Sequence, residues 1–206
     1  MKRFTIITLF VTLLLIAYGG FMGQYEQPKY SVLQSSSNIE IRQYEPKLVA
    51  ETVVSGERRQ AADSAFAILG EYIFGQNTSA TAIAMTAPVT QSQQSEKIAM
   101  TVPVTQTGNQ TAWVVQFAMP SKYTTATLPR PKNPRITIKQ VPGAKVAAIR
   151  FSGFAEPNQL RENEAKLRSY LSQQGIEPKG EATYAFYDGP FTLPMFRRNE
   201  VMLELG

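Results

Sequence analysis

The chemistry open to this chain is bounded first by what it lacks: among 206 residues there is no cysteine and no histidine. Without cysteine there are no disulfides, thiolate metal sites or sulfur nucleophiles, so cysteine usage says nothing of redox compartment. Without histidine the commonest metal and haem ligand is missing, as is the usual general base at neutral pH. Zinc hydrolysis and Ser-His-Asp catalysis are excluded. Carboxylates remain. Glu51, within Val49-Ala50-Glu51-Thr52-Val53, and Glu200, before Val201-Met202-Leu203, sit in otherwise apolar strand patterns. Burial would raise the pKa of such a group and make it a base, whereas the commoner strand glutamate faces outward into water. The other concentration of useful side chains is the run holding Tyr187, Phe191, Met195, Phe196, Arg197 and Arg198, at once aromatic and basic. No nucleophile is paired with a base by sequence, which favours binding over catalysis.

The elements that must position these groups announce themselves by repetition. Ile83-Ala84-Met85-Thr86-Ala87-Pro88-Val89-Thr90-Gln91 returns fifteen residues later as Ile98 to Gln106 with one alanine-to-valine change. Each copy alternates as a half-buried strand does, and a proline at the same place in both predicts two edge or bulged strands. A longer repeat runs at an offset of 97: Ile39 to Gln43 matches Ile136 to Gln140, Val49-Ala50 matches Val146-Ala147, and Ser55-Gly56 matches Ser152-Gly153. Helical stripes follow each copy. Ala62, Ala65, Phe66, Leu69, Tyr72 and Ile73 predict a helix over about 57–74. Leu160, Leu167, Tyr170 and Leu171 predict another over about 156–174, opened by Pro157 and stopped by Gly175. Strands are expected at 113–119, 145–151, 184–187 and 200–205. Two similar halves, about 37–119 and 135–205, bury their apolar faces best as one α+β domain, a curved antiparallel sheet carrying both helices. Residues 120–134, with four prolines, form the crossover between halves.

Net charge is +5, from 21 basic and 16 acidic residues, and the bases are scattered rather than striped, so nucleic acid is not an expected partner. Hydrophobic residues at 43% are ordinary for a globular chain. At the N-terminus, Lys2-Arg3 precedes an uncharged apolar run, Phe4 to Tyr18, extending to Met22. Residues 1–23 are therefore expected to be a signal peptide or a membrane anchor, with 24–36 a linker and entry segment and 37–206 one domain. Either version places the folded part outside the cytoplasm, periplasmic or anchored facing outward, and an uncleaved anchor makes the membrane a partner.

Five segments in order resemble the SOUL haem-binding protein family: the paired Ile-Ala-Met-Thr-x-Pro-Val stretches; Phe117-Ala118-Met119-Pro120-Ser121-Lys122-Tyr123 with Leu128-Pro129-Arg130-Pro131; Val146 to Gly153; Tyr187 to Pro194; and Arg197 to Val201. The resemblance implies a distorted antiparallel barrel of about eight strands with two packed helices, and a tetrapyrrole ligand such as haem. It associates the porphyrin with the first helix and the loop before the last strand. Carried onto this chain, that means Arg58, Arg59, Ala62 and Phe66 with Tyr187, Phe191, Met195, Phe196, Arg197 and Arg198. Asp63 and Glu71 would repel propionates, so Arg58 and Arg59 are the helix's attractive pair. Iron ligation is left to methionine, tyrosine or lysine, or to no axial ligand at all, the plane lying on an apolar face while arginines pair with the propionates. Two other readings stay open. One is binding or hydrolysis of another bulky aromatic molecule in a groove between the halves, with Glu200 or Glu51 as base. The other is an envelope scaffold without a small ligand.

Overall fold

The computed structural model describes residues 25–79, 81–93, 112–189 and 191–206. Among these residues nine strands and two α-helices follow one another as β1 (Tyr30–Ser36), β2 (Ile39–Tyr44), β3 (Lys47–Ser55), α1 (Arg58–Ile73), β4 (Val89–Gln93), β5 (Ala112–Ala118), β6 (Thr137–Val141), β7 (Lys145–Phe151), α2 (Pro157–Gln173), β8 (Pro178–Phe186) and β9 (Asn199–Leu205), with one short 3-10 turn at Pro194–Phe196. The expected α+β class is what is found. All sheet pairings are antiparallel, in the order β1-β2-β7-β9-β8-β4-β5-β3-β6. The sheet is open and barrel-like, with nine strands among the described residues, of which β1 forms within the expected entry segment.

Each helix is written locally and fixed by what it buries. Glu57 caps α1, its carboxylate accepting the Arg59 backbone N–H at 3.1 Å, and Ala61, Ala65, Ile68, Leu69, Tyr72 and Ile73 form the buried stripe. That stripe meets Ala50 and Val54 of β3 and Val115 and Phe117 of β5. Pro157 opens α2, where its missing N–H costs nothing, and Gly175 at φ +69° lies just past its end. Leu160, Leu167 and Leu171 of α2 pack on Ala147 and Ile149 of β7 and on Val201 and Leu203 of β9. Fully burying one such leucine is worth about 1.5–3 kcal/mol.

The two cores share a plan. β2 pairs with β7 with Ile39 opposite Ile149, and β6 pairs with β3 with Thr137 opposite Glu51. Gly56, between β3 and α1, and Gly153, between β7 and α2, both have positive φ, +124° and +113°. Strand alternation leaves the opposite parity, including Tyr44, Ala148, Ala185 and Met202, to a third core on the sheet face away from the helices.

The short repeat departs from expectation. Its first copy becomes strand only from Val89, and β4 is central, paired to β5 on one side and β8 on the other. Pro88 lies one residue before the strand, where its lack of an N–H interrupts no ladder bond, so the proline marks a start and not an edge. The second copy, Ile98 to Gln106, lies outside the described residues, as does the apolar run Phe4 to Met22. Among the described residues no helix is long and apolar enough to cross a membrane.

Candidate functional site

Side chains with chemical potential gather in three places. The first is the sheet face away from the helices, where Glu200, the second residue of β9, has 0% exposure. Arg42 of β2 reaches it with Nη1 to Oε2 at 2.7 Å and Nη2 to Oε1 at 3.0 Å. Arg198 donates to Oε1 from Nη2 at 2.7 Å and from Nε at 3.0 Å, and the Tyr187 hydroxyl donates to Oε2 at 2.7 Å. Arg42 is itself held by Glu40 at 2.7 Å and stacked 4.6 Å above the Tyr30 ring, while Arg198 lies 3.9 Å above the Tyr187 ring. Burial acts to raise the Glu200 pKa, but the Arg42 hydrogen bonds and charge, with those of Arg198 and Tyr187, outweigh it and hold the carboxyl below its ordinary value. Burial and the adjacent carboxylate push the Tyr187 phenol up. The expectation of a base with raised pKa is thus reversed for Glu200, because two guanidiniums occupy the oxygens that a base would use. Glu51, on the same parity of β3, is also buried and engaged, by Lys139 of β6 and by Gln116 of β5 at 2.7 Å.

The second place lies on the helix side, where the first turns of α1 and α2 approach each other. A cleft of about 350 Å³ is lined by Gly56, Arg58, Trp113, Leu160, Arg161 and Tyr184, among others. Its aromatic walls come from strands on either side of β4: Trp113 of β5 and Tyr184 of β8 stand 6.5 Å apart between ring centroids, at 41°. Trp113 is anchored by its indole N–H to the Gly56 carbonyl at 3.2 Å, and Tyr184 by its hydroxyl to Glu164 at 3.3 Å. Arg58 donates from Nη2 to the Ala155 carbonyl at 3.1 Å, while its Nε is buried and makes no hydrogen bond among the described residues. Burial lowers the pKa of this guanidinium, and the neighbouring Tyr184, Glu57 and Glu156 offset it only in part.

The third place is the loop between β8 and β9. Phe191 is 93% exposed and Met195 68%, with Phe196 and Leu193 also exposed, so the tip presents apolar surface to solvent. Its base is tied down: the Gly153 N–H donates to the Pro194 carbonyl at 2.9 Å, and Asn199 donates to the Gly153 carbonyl at 3.1 Å. Arg197 donates to the Thr192 carbonyl at 2.8 Å and sits 5.4 Å over the Phe154 ring. The loop and the Arg58 cleft therefore flank the same segment, 153–157.

The residues expected to act together are divided by this geometry. Arg58 lines the cleft, whereas Phe191, Met195 and Phe196 stand exposed on the loop tip and are not among the cleft's walls. Arg59 is an exposed partner of Glu156 at 3.7 Å, and Phe66, on the outer side of α1, meets Phe117 edge-on at 5.5 Å, while Ala62 is half-buried one turn before it. Tyr187 and Arg198 turn instead to Glu200 on the other side of the sheet. Sequence reasoning missed Trp113 and Tyr184, which strand pairing alone brings together, and Arg42 and Tyr44, whose alternating polar positions imitate a solvated strand face. Among the described residues no group of carboxylates could hold a metal ion.

An α+β chain with an open antiparallel sheet, two helices on one face and an aromatic, basic cleft between their starts defines the class. More particularly, the chain belongs to the SOUL family: the family described as SOUL heme-binding protein matches residues 25–204. No curated protein matches it. Among solved structures it is similar to the EcmrR C-terminal domain, with TM-score 0.59 and 9% identity, covering 86% of this chain and 98% of that one. It is also similar to a hydrolase from Listeria innocua, with TM-score 0.53 and 10% identity, covering 92% and 97%. At such identities these likenesses show the fold alone.

Proposed function

We propose that this protein binds haem or a related planar tetrapyrrole without histidine ligation, in the Arg58 cleft and against the neighbouring Phe191–Phe196 tip. Family membership supports the ligand class. The observation that carries the site is the Arg58 guanidinium, short of one hydrogen-bond acceptor, in a cleft that Trp113 and Tyr184 also line. A cation in a cleft with aromatic walls suits the carboxylate edge of a porphyrin, whose apolar plane would extend over the exposed loop. The cleft's about 350 Å³ suits one edge of so large a molecule and not the whole. Arg58 and Arg161 would hold propionates, and Tyr184 or Met195 would be the nearest candidates for an iron ligand. Burial of an aromatic plane at roughly 25 cal/mol per Å², set against several kcal/mol for association, gives micromolar affinity or weaker.

The same reading places the protein at the cell envelope, exported by, or anchored through, residues 1–23, and treats the two halves as a duplicated unit. The apolar run after Lys2-Arg3 supports the first. The related strand registers and the paired Gly56 and Gly153 junctions support the second.

The test is a Soret titration with haemin and with iron-free protoporphyrin, followed in parallel by fluorescence of Trp113, the chain's sole tryptophan. We expect saturable binding of both, quenching of Trp113, and at least about tenfold weaker binding for Arg58→Met, in line with about 1.5–3 kcal/mol for a charge-assisted hydrogen bond. A marked preference for haemin would point to a tyrosine or methionine ligand. No saturable binding of either at tens of micromolar would leave the scaffold reading in its place.

A further inference from the structure

A second cleft, of about 250 Å³, shares no lining residue with the first. It opens at the far end of β3, where Lys47 is the strand's first residue, opposite Val141 of β6. Thr86, Tyr123 and the Glu45–Pro46 turn are among its walls. Lys47 is half-buried, with Nζ 5.7 Å from the centroid of the Tyr44 ring, and that ring is fixed because its hydroxyl accepts from Arg42 at 3.1 Å. No carboxylate pairs with Lys47 among the described residues. The titratable side chains lining the cleft besides Lys47 are Glu26, Lys29, Glu45 and Tyr123. Of these, Glu26 accepts the Ser121 N–H at 2.8 Å, and that bonding to Ser121 holds it below its ordinary pKa. The Tyr44 ring favours the ammonium, yet burial prevails and lowers the Lys47 pKa, so more of the amine is neutral near pH 7 than for a lysine in water.

We propose that Lys47 is an amine nucleophile that takes small aldehydes in this cleft as imines. The neutral Nζ lone pair adds to the carbonyl carbon, forming the C–N bond while the carbonyl π pair moves to oxygen. The nitrogen's proton passes to that oxygen, and loss of water leaves the C=N bond. Hydrolysis restores both partners, and neither direction needs an oxidant or reductant. A desolvated lysine in a walled cleft is the arrangement that activates amines towards carbonyl compounds. The cleft's about 250 Å³ has room for an aldehyde up to about the size of benzaldehyde.

The experiment uses the full-length protein with butanal and cyanoborohydride near neutral pH, the modified lysines being located and timed by mass spectrometry. Lys47 should be alkylated about threefold or more faster than exposed Lys132 and Lys166, and its rate should saturate with butanal while theirs stay linear. In concentrated urea the advantage should vanish. Labelling at or below the rate of the exposed lysines overturns the proposal. So does an advantage that survives urea, since it would then belong to the local sequence and not to the cleft.

Discussion

Replacing Glu200 by glutamine removes one negative charge from a position with no solvent exposure and leaves two guanidiniums facing a neutral amide. The carboxylate receives five hydrogen bonds, two from Arg42, two from Arg198 and one from Tyr187. Removing one partner of a buried ion pair costs roughly 3–5 kcal/mol. Here the lower end is expected, about 3 kcal/mol, because Arg42 keeps Glu40 and the Tyr44 hydroxyl and Arg198 keeps Gln27 at 3.3 Å. The assay is equilibrium urea unfolding of wild type and Glu200→Gln across pH. The folded-state pKa of Glu200 lies below its ordinary 4.5, so the unfolded chain takes up the proton first as pH falls. Its contribution is therefore complete above about pH 4.5 and is lost as pH drops through the lower folded value. Glutamine has no such titration, and the gap between the two proteins should close in that acid window. A cost under about 1 kcal/mol at neutral pH, or a gap unchanged by acid, would refute the account of Glu200 as a pinned carboxylate.

Two further outcomes follow from local geometry. Gly153→Ala should destabilise more than Gly56→Ala by urea unfolding, about 2 against about 1 kcal/mol: both replace positive-φ glycines, but only at Gly153 would a Cβ meet a side chain, Gln159 at 2.9 Å, whose amide bonds Ser152 and Ala155. Lys139→Met should cost more than Glu51→Gln, about 1–2 against under about 1 kcal/mol, because the lysine is half exposed and can return to water whereas Glu51 stays buried with Gln116.

What was legible in the sequence was what periodicity encodes. Ala65, Leu69, Tyr72 and Ile73 place α1, Leu160, Leu167 and Leu171 place α2, and β7 spans 145–151 as its Val-Ala-Ala-Ile run suggests. β1 was not legible, because Ser31, Gln34, Ser35 and Ser36 give it no apolar face and it forms by pairing with β2 at the sheet's edge. The centrality of β4 was hidden too, since Pro88 interrupts the repeat one residue before pairing begins. Of the candidate site, Arg58 and the loop aromatics could be named from type and resemblance. The partnership of Arg42 with Glu200 spans 158 residues, and the sequence offers nothing that ties one to the other. Trp113 and Tyr184 meet only because β5 and β8 both pair with β4.

The distribution of buried charge bears on what kind of ligand this sheet can take. On the face away from the helices the buried carboxylates are Glu200 and Glu51. Arg42 and Arg198 engage the first, and Lys139 engages the second. A cationic ligand there would have to displace a bidentate arginine from a fully buried carboxylate, surrendering the 2.7 Å and 3.0 Å contacts of Arg42 before it gained any of its own. A carboxylate held below its ordinary pKa with both oxygens already engaged is a poor base, which argues against Glu200 in a hydrolytic role. On the helix side the position is the opposite. Arg58 is half-buried, pairs with a neutral carbonyl, and keeps one N–H unmatched in the cleft that Trp113 and Tyr184 also line. Arg58 and Arg161 put positive charge in the wall of this cleft beside two aromatic rings, which suits the acidic groups of an anionic planar molecule.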